Sequence, residues 1–284
     1  MKKEYKVEAI KGITEKGIFN KNSWINEAEN HIYSSSLLND HSKKSREKLN
    51  ALTDKRNKTG IKSNTKEILN LIKKVEASSK SSLLLLGYSI ELYLKAGLVR
   101  LHQNTTREDF HKLLRRKYSH NLKESAKLLG IELSRDDEIR LDRIKELVLD
   151  EARYPVTPVD PLEYIGQANK VNSAVWSKTL YSDCLVLAQK IKDHVQSIDA
   201  DTQNPAIFAR FQISDDGYCA FRFGGNLPSY LLVHYSKIQV EENTNSPDHL
   251  LELIINHAPD SICKRIIENH RDEITVLNLK NTTA

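Results

Sequence analysis

The sequence predicts a mainly α protein, an antiparallel helical bundle followed by a small α+β appendage. Two observations carry that expectation. Apolar residues recur with helical spacing from about residue 65 to 198. After Asp199 they alternate in short β-rich runs instead.

Within the helical zone, Ile68, Leu69, Ile72 and Val75 mark one face of a helix beginning at Asn64 or Thr65. The next stretch, Ser79 to Gln103, is the most apolar of the chain. Leu85, Leu86, Ile90, Leu94 and Leu98 there predict the central helix of the bundle. Asn121 to Leu129 reads as a short amphipathic helix stopped by Gly130. Ser134-Arg135-Asp136-Asp137 has the composition of a helix start, with acidic residues in its first turn, and the helix should run to about Leu149. Pro155, Pro158 and Pro161 interrupt regularity. One long last helix is expected from Ala168 through Val195. Helices of this number and spacing make a bundle.

Beyond residue 200, Ile207–Ile213 and Tyr218–Phe223 flank Ser214-Asp215-Asp216-Gly217, the pattern of a hairpin. Tyr230–Tyr235 reads as a third strand, 247–257 and 260–270 as helices, and Ile274–Leu277 as a final strand. The expected organisation is a polar N-terminal segment over 1–62, with one helix over Ser23–Tyr33 and a basic linker, then the bundle over 63–200 and the α+β domain over 201–284.

Composition narrows the function classes. Of 284 residues, 39% are hydrophobic and 29% charged, as in a soluble globular protein with a sizeable core. Three widely spaced cysteines, Cys184, Cys219 and Cys263, form no CxxC pair, which argues against a disulfide framework or a zinc site and fits a cytoplasmic setting. Met1-Lys2-Lys3-Glu4 opens a polar stretch, so no secretory leader is expected, and Leu83–Leu86 is too short an apolar run to predict a membrane association. HExxH, Walker-type, GxSxG and GxGxxG motifs are all absent. His102, His111 and His120 recur every nine residues, a spacing that does not make a metal site, and no cofactor is expected. Net charge is +5, yet Lys43 to Lys62 alone carries eight basic residues against Glu47 and Asp54. Such a stretch suits a solvated linker or a phosphate backbone.

Three clusters carry candidate chemistry. Glu91 and Lys95 are four apart on the central helix and share a face, either as a plain ion pair or as part of a polar pocket. Arg115 and His120 form Arg-x4-His. An imidazole titrates near neutrality and can move the proton of a ribose hydroxyl, and a guanidinium can offset charge building on a phosphate. Arg153 and Tyr154 precede Pro155 where a helix must stop, as a clasp onto a carboxylate or as pocket walls.

Ser89-Ile90-Glu91-Leu92-Tyr93-Leu94-Lys95-Ala96, Ser119-His120-Asn121-Leu122 and Ala152-Arg153-Tyr154-Pro155, in that order, resemble the HEPN family pattern of a Lys-Ala helix, a His-Asp-Leu helix start and an Arg-Tyr-Pro exit. The resemblance covers about half the chain. It implies a HEPN-like bundle that dimerises and acts on RNA or a nucleotide, as a metal-independent endoribonuclease in a defence or toxin system. Arg115 and His120 would then be catalytic, and Glu91, Lys95, Arg116, Arg153 and Tyr154 would bind nucleotide or RNA. In family ribonucleases a polar residue commonly follows the arginine and the motif opens a late helix; here Arg116 follows it, ahead of a middle helix. The alternative is a non-catalytic binding or scaffold module that recruits a protein partner through residues 201–284.

Overall fold

The computed structural model describes residues 7–8, 17–59, 65–148, 160–257 and 262–279. The protein is mainly helical with a small C-terminal sheet. It divides into two compact units, one of Met1–Ser23, Leu94–Glu132 and Asp193–Ala284, the other of Trp24–Tyr93 and Leu133–Lys192. These units do not follow the boundaries at 62/63 and 200/201. Residues 94–132 belong with the sheet because their polar groups bond to it: Asn104 Nδ2 donates to Ala209 O at 3.3 Å, and Tyr230 Oη donates to Leu128 O at 2.9 Å.

The second unit is a helical bundle. It holds most of α1 (Lys21–Thr59), α2 (Thr65–Leu101) as far as Tyr93, α5 (Arg135–Glu146), α6 (Pro161–Trp176) and α7 (Leu180–Ser197) as far as Lys192. Helix α1 includes the helix expected over Ser23–Tyr33 and corrects the expectation of an irregular segment with a basic linker beyond it, since it runs unbroken to Thr59. No Gly or Pro interrupts it, and after Ile25 its buried face is lined by the small residues Ala28, Ser35, Ser42 and Ser45. Small side chains let the α2 backbone approach, and their hydroxyls bond across the seam. Ser35 Oγ donates to Ser82 O at 2.7 Å, and the Ser42 and Ser79 hydroxyls meet at 2.6 Å. Gly87 is needed where α2 meets the end of α5, because a Cβ there would lie 2.5 Å from Val148 Cγ2.

Three further boundaries differ from expectation. The two helices expected over 65–75 and 79–103 are one, α2, which by length and composition is apolar enough to cross a membrane. Most of that apolar stretch is buried inside the protein. The single last helix is two, broken at Ser177, whose Oγ accepts from Leu180 N at 3.0 Å and so starts α7. Pro161 opens α6, where its missing N–H costs nothing, in place of interrupting a helix. The start at Ser134 stands as read, with a reciprocal capping box to Asp137.

The first unit is built on a five-stranded sheet, β1 (Val7–Glu8), β2 (Ile207–Ser214), β3 (Gly217–Phe223), β4 (Tyr230–His234) and β5 (Thr275–Asn278), in that spatial order. The first three pairings are antiparallel, and β4 with β5 is parallel. The connection between those two carries α8 (Lys237–Glu241), α9 (Pro247–His257) and α10 (Ile262–His270), as a parallel pairing requires a crossover. Strand β3 is buried throughout, with Phe211, Phe221, Leu231, Leu250 and Ile267 in the core around it. Helices α3 (Arg107–Arg116) and α4 (Leu122–Leu128) join this unit with the end of α2. Gly97 lies where a Cβ would meet Leu129 Cδ1 at 2.5 Å. A buried ionic cluster adds a further tie: Asp199 pairs with Arg100 at 2.9 Å and with the fully buried Arg222.

Candidate functional site

Helix α3 begins at Thr106, whose Oγ1 accepts from Asp109 N at 3.1 Å while donating to Asp109 Oδ2 at 2.8 Å. This places the Asp109 carboxylate in the first turn, where the helix dipole favours negative charge. On the sheet, the register opposes Tyr218 of β3 directly to His234 of β4. Directly opposed residues put their side chains on one face, and the two rings stack at 5.6 Å. Gln212 opposes Tyr218 on the other neighbour, so Arg210 is its diagonal neighbour on that face. The Arg210 guanidinium stands 4.1 Å from the Tyr218 ring centre.

Tyr218 and His234 join Thr106 on one oxygen of Asp109. Tyr218 Oη donates to Asp109 Oδ2 at 2.6 Å, and His234 Nδ1 lies 3.0 Å from the same atom. Burial raises the Asp109 pKa, but hydrogen bonds from Tyr218 and Thr106, with the charge and hydrogen bond of His234, outweigh it and hold the carboxyl below its ordinary value. Burial, then the bond to Asp109, pushes the Tyr218 phenol upward, so it stays a donor. An ionised carboxylate has no proton to give, so His234 Nδ1 is the donor of their pair. With Nδ1 turned to the carboxylate, Nε2 is the ring nitrogen left to exchange a proton. The ring is about one-fifth exposed while Asp109 is buried, 22% against 8%. An oriented, partly exposed imidazole can take a proton, and a guanidinium two strands away on the same sheet face, across Tyr218, can offset negative charge.

The residues singled out from the sequence lie elsewhere. Arg115 and Arg116 are exposed in the last turn of α3. His120 is half-buried beyond that helix with φ 57°, just ahead of the Asn121 N-cap of α4, which opens at Leu122. Glu91 is buried and Lys95 half-buried; both are on α2, but the two units divide between them. Arg153 and Tyr154 lie outside the described residues. Thr106-x-x-Asp109 carries the spacing of a helix start and was the local signal for the carboxylate. His234 is 125 residues from Asp109 and gave no local signal at all.

Next to this cluster His102 is fully buried, stacked on Phe110 at 5.4 Å and bonded to Tyr118 Oη at 2.9 Å. Burial, helped by the Lys117 charge, pushes its pKa down from 6.5 to about 3, so it is a neutral core residue. Among the described residues no three His, Cys, Asp or Glu side chains gather as metal ligands would. No family model, no curated protein and no solved structure matches this chain.

Proposed function

We propose that this is a HEPN-type protein that cleaves RNA by acid–base chemistry at the Asp109–His234 pair, as a cytoplasmic homodimer in a defence or toxin setting. The observation that carries the chemistry is the 3.0 Å bond holding His234 Nδ1 to a buried carboxylate, with Arg210 on the same sheet face. The family and setting rest on the sequence resemblance alone.

In the proposed step His234 Nε2 accepts the proton of a ribose 2′-hydroxyl. The 2′-oxygen forms a bond to phosphorus, the bond from phosphorus to the 5′-oxygen breaks, and the leaving oxygen takes a proton from solvent. Asp109 stabilises the imidazolium, and Arg210 offsets charge on the phosphoryl oxygens. The products are a 2′,3′-cyclic phosphate and a 5′-hydroxyl. Arg115 and His120, the pair singled out by the resemblance, are the competing assignment for the same reaction.

The test is incubation of the full chain with single-stranded RNA in the presence of a chelator, with mass spectrometry of the new ends. Cyclic phosphate and 5′-hydroxyl termini support the reading, and intact RNA goes against it.

A second reading is a non-catalytic module that recruits a partner through its C-terminal domain. A cavity of about 320 Å³ between α8 and α9, lined by Gln239, Glu242, His249, Glu252 and His257, favours it. That volume is at the lower end of ligand-binding sites. Under this reading Asp109, Tyr218 and His234 clasp α3 to the sheet, and RNA is left uncut.

A further inference from the structure

In the helical unit a cavity of about 100 Å³ opens where α1 and α2 meet the start of α7. Three cationic side chains line it: Lys43 and Arg46 from α1, and Lys178 just ahead of α7. Hydroxyls of Ser42, Ser79 and Tyr181 complete the wall, and none of the described lining residues is Asp or Glu. The Asp40 carboxylate acts on Tyr181 of the wall, raising its pKa behind the larger effect of burial.

Arg46 is held in place from both sides. Its guanidinium donates to Val175 O at 2.9 Å, reaches the carbonyls of Trp176 and Ser177, and lies 5.3 Å from the Trp176 ring centre. It thereby neutralises the negative end of α6, and its buried Nε has no hydrogen-bond partner among the described residues. The 18-residue helix α7 starts at the same place, so its positive end adds to the three cations. Lys43 and Lys178 are exposed and reach the mouth. The space exceeds that of a single water and falls well short of a nucleobase-sized pocket.

We infer that this cavity binds a single phosphoryl group, either the phosphate of a small ligand or the terminal 5′-phosphate of a nucleic acid strand. It is separate from the Asp109–His234 pair and stands whether or not that pair cleaves RNA.

The experiment is calorimetric titration of the full chain with inorganic phosphate, 5′-AMP, and one oligoribonucleotide in 5′-phosphorylated and 5′-hydroxyl forms. A Lys43→Gln/Lys178→Gln variant is compared with Lys73→Gln/Lys74→Gln, whose lysines are exposed elsewhere on α2. Both substitutions are at the surface, so matched thermal melts establish folding. Expected is phosphate binding that weakens at least tenfold in the first variant and is unchanged in the second. A phosphorylated oligonucleotide binding at least tenfold tighter than 5′-AMP and its 5′-hydroxyl form identifies a strand end. Equal affinity for 5′-AMP and phosphorylated oligonucleotide identifies a small ligand. Absence of phosphate binding, or equal loss in both variants, overturns the assignment.

Discussion

His234 Nδ1 lies 3.0 Å from Asp109 Oδ2, across 125 residues of sequence, and ties the last residue of β4 to the first turn of α3. The bond does two things. It fixes the imidazole tautomer, and it places a negative charge behind the ring, where a positive one would form during proton transfer.

Replacing Asp109 with Asn therefore separates positioning from binding. Asp109→Asn is expected to lower kcat for RNA cleavage by about 100-fold or more, with little change in RNA affinity. The same variant changes acid stability. Because the folded Asp109 pKa is lowered, its stabilising contribution is present above the ordinary carboxylate pKa of 3.8 and is lost as pH falls through the lowered value. Asp109→Asn lacks that contribution, which urea melts between pH 6 and pH 3 would read.

His102 predicts a second acid-sensitive term. The unfolded chain takes up a proton at His102 below about 6.5, whereas the folded protein resists until about 3. Stability should thus fall as pH drops through that window, by at most about 1.4 kcal/mol per pH unit from this group. His102→Phe removes the term, so its urea midpoint should depend less on pH between 6.5 and 4. An unchanged slope would mean that His102 is not buried neutral.

How much of this was legible in the sequence depends on how local each signal is. The β2–β3 hairpin was readable because Ile207–Ile213 and Tyr218–Phe223 alternate around Asp216-Gly217. Helix α5 was readable because Ser134 and Asp137 are three apart. Helix α1 was legible only over Ser23–Tyr33, and its remainder was hidden because Ser35, Ser42 and Ser45 occupy the buried face, where serine carries no hydropathy signal. The α6–α7 break was hidden because a serine cap makes it, with no Gly or Pro there. The carboxylate–imidazole pair was unreadable for another reason. It depends on strand register and on α3 meeting the sheet, and both are set by tertiary packing.

The folding of the basic stretch into α1 adds an expectation for RNA binding. Lys44, Lys48, Lys55 and Lys58 are exposed and, at about 100° per residue, fall within about 80° of arc on one face. Changing all four to Gln should weaken RNA binding and reduce the slope of log K against log salt by up to about 3. A slope equal to wild type would remove this face from the RNA-binding surface.

The most direct measurement is the single-turnover rate of RNA cleavage, with chelator present, for wild type, His234→Gln and His120→Gln. A loss of about 100-fold or more in His234→Gln, with His120→Gln near wild type, is the predicted result. Cleavage by His234→Gln at the wild-type rate would contradict it.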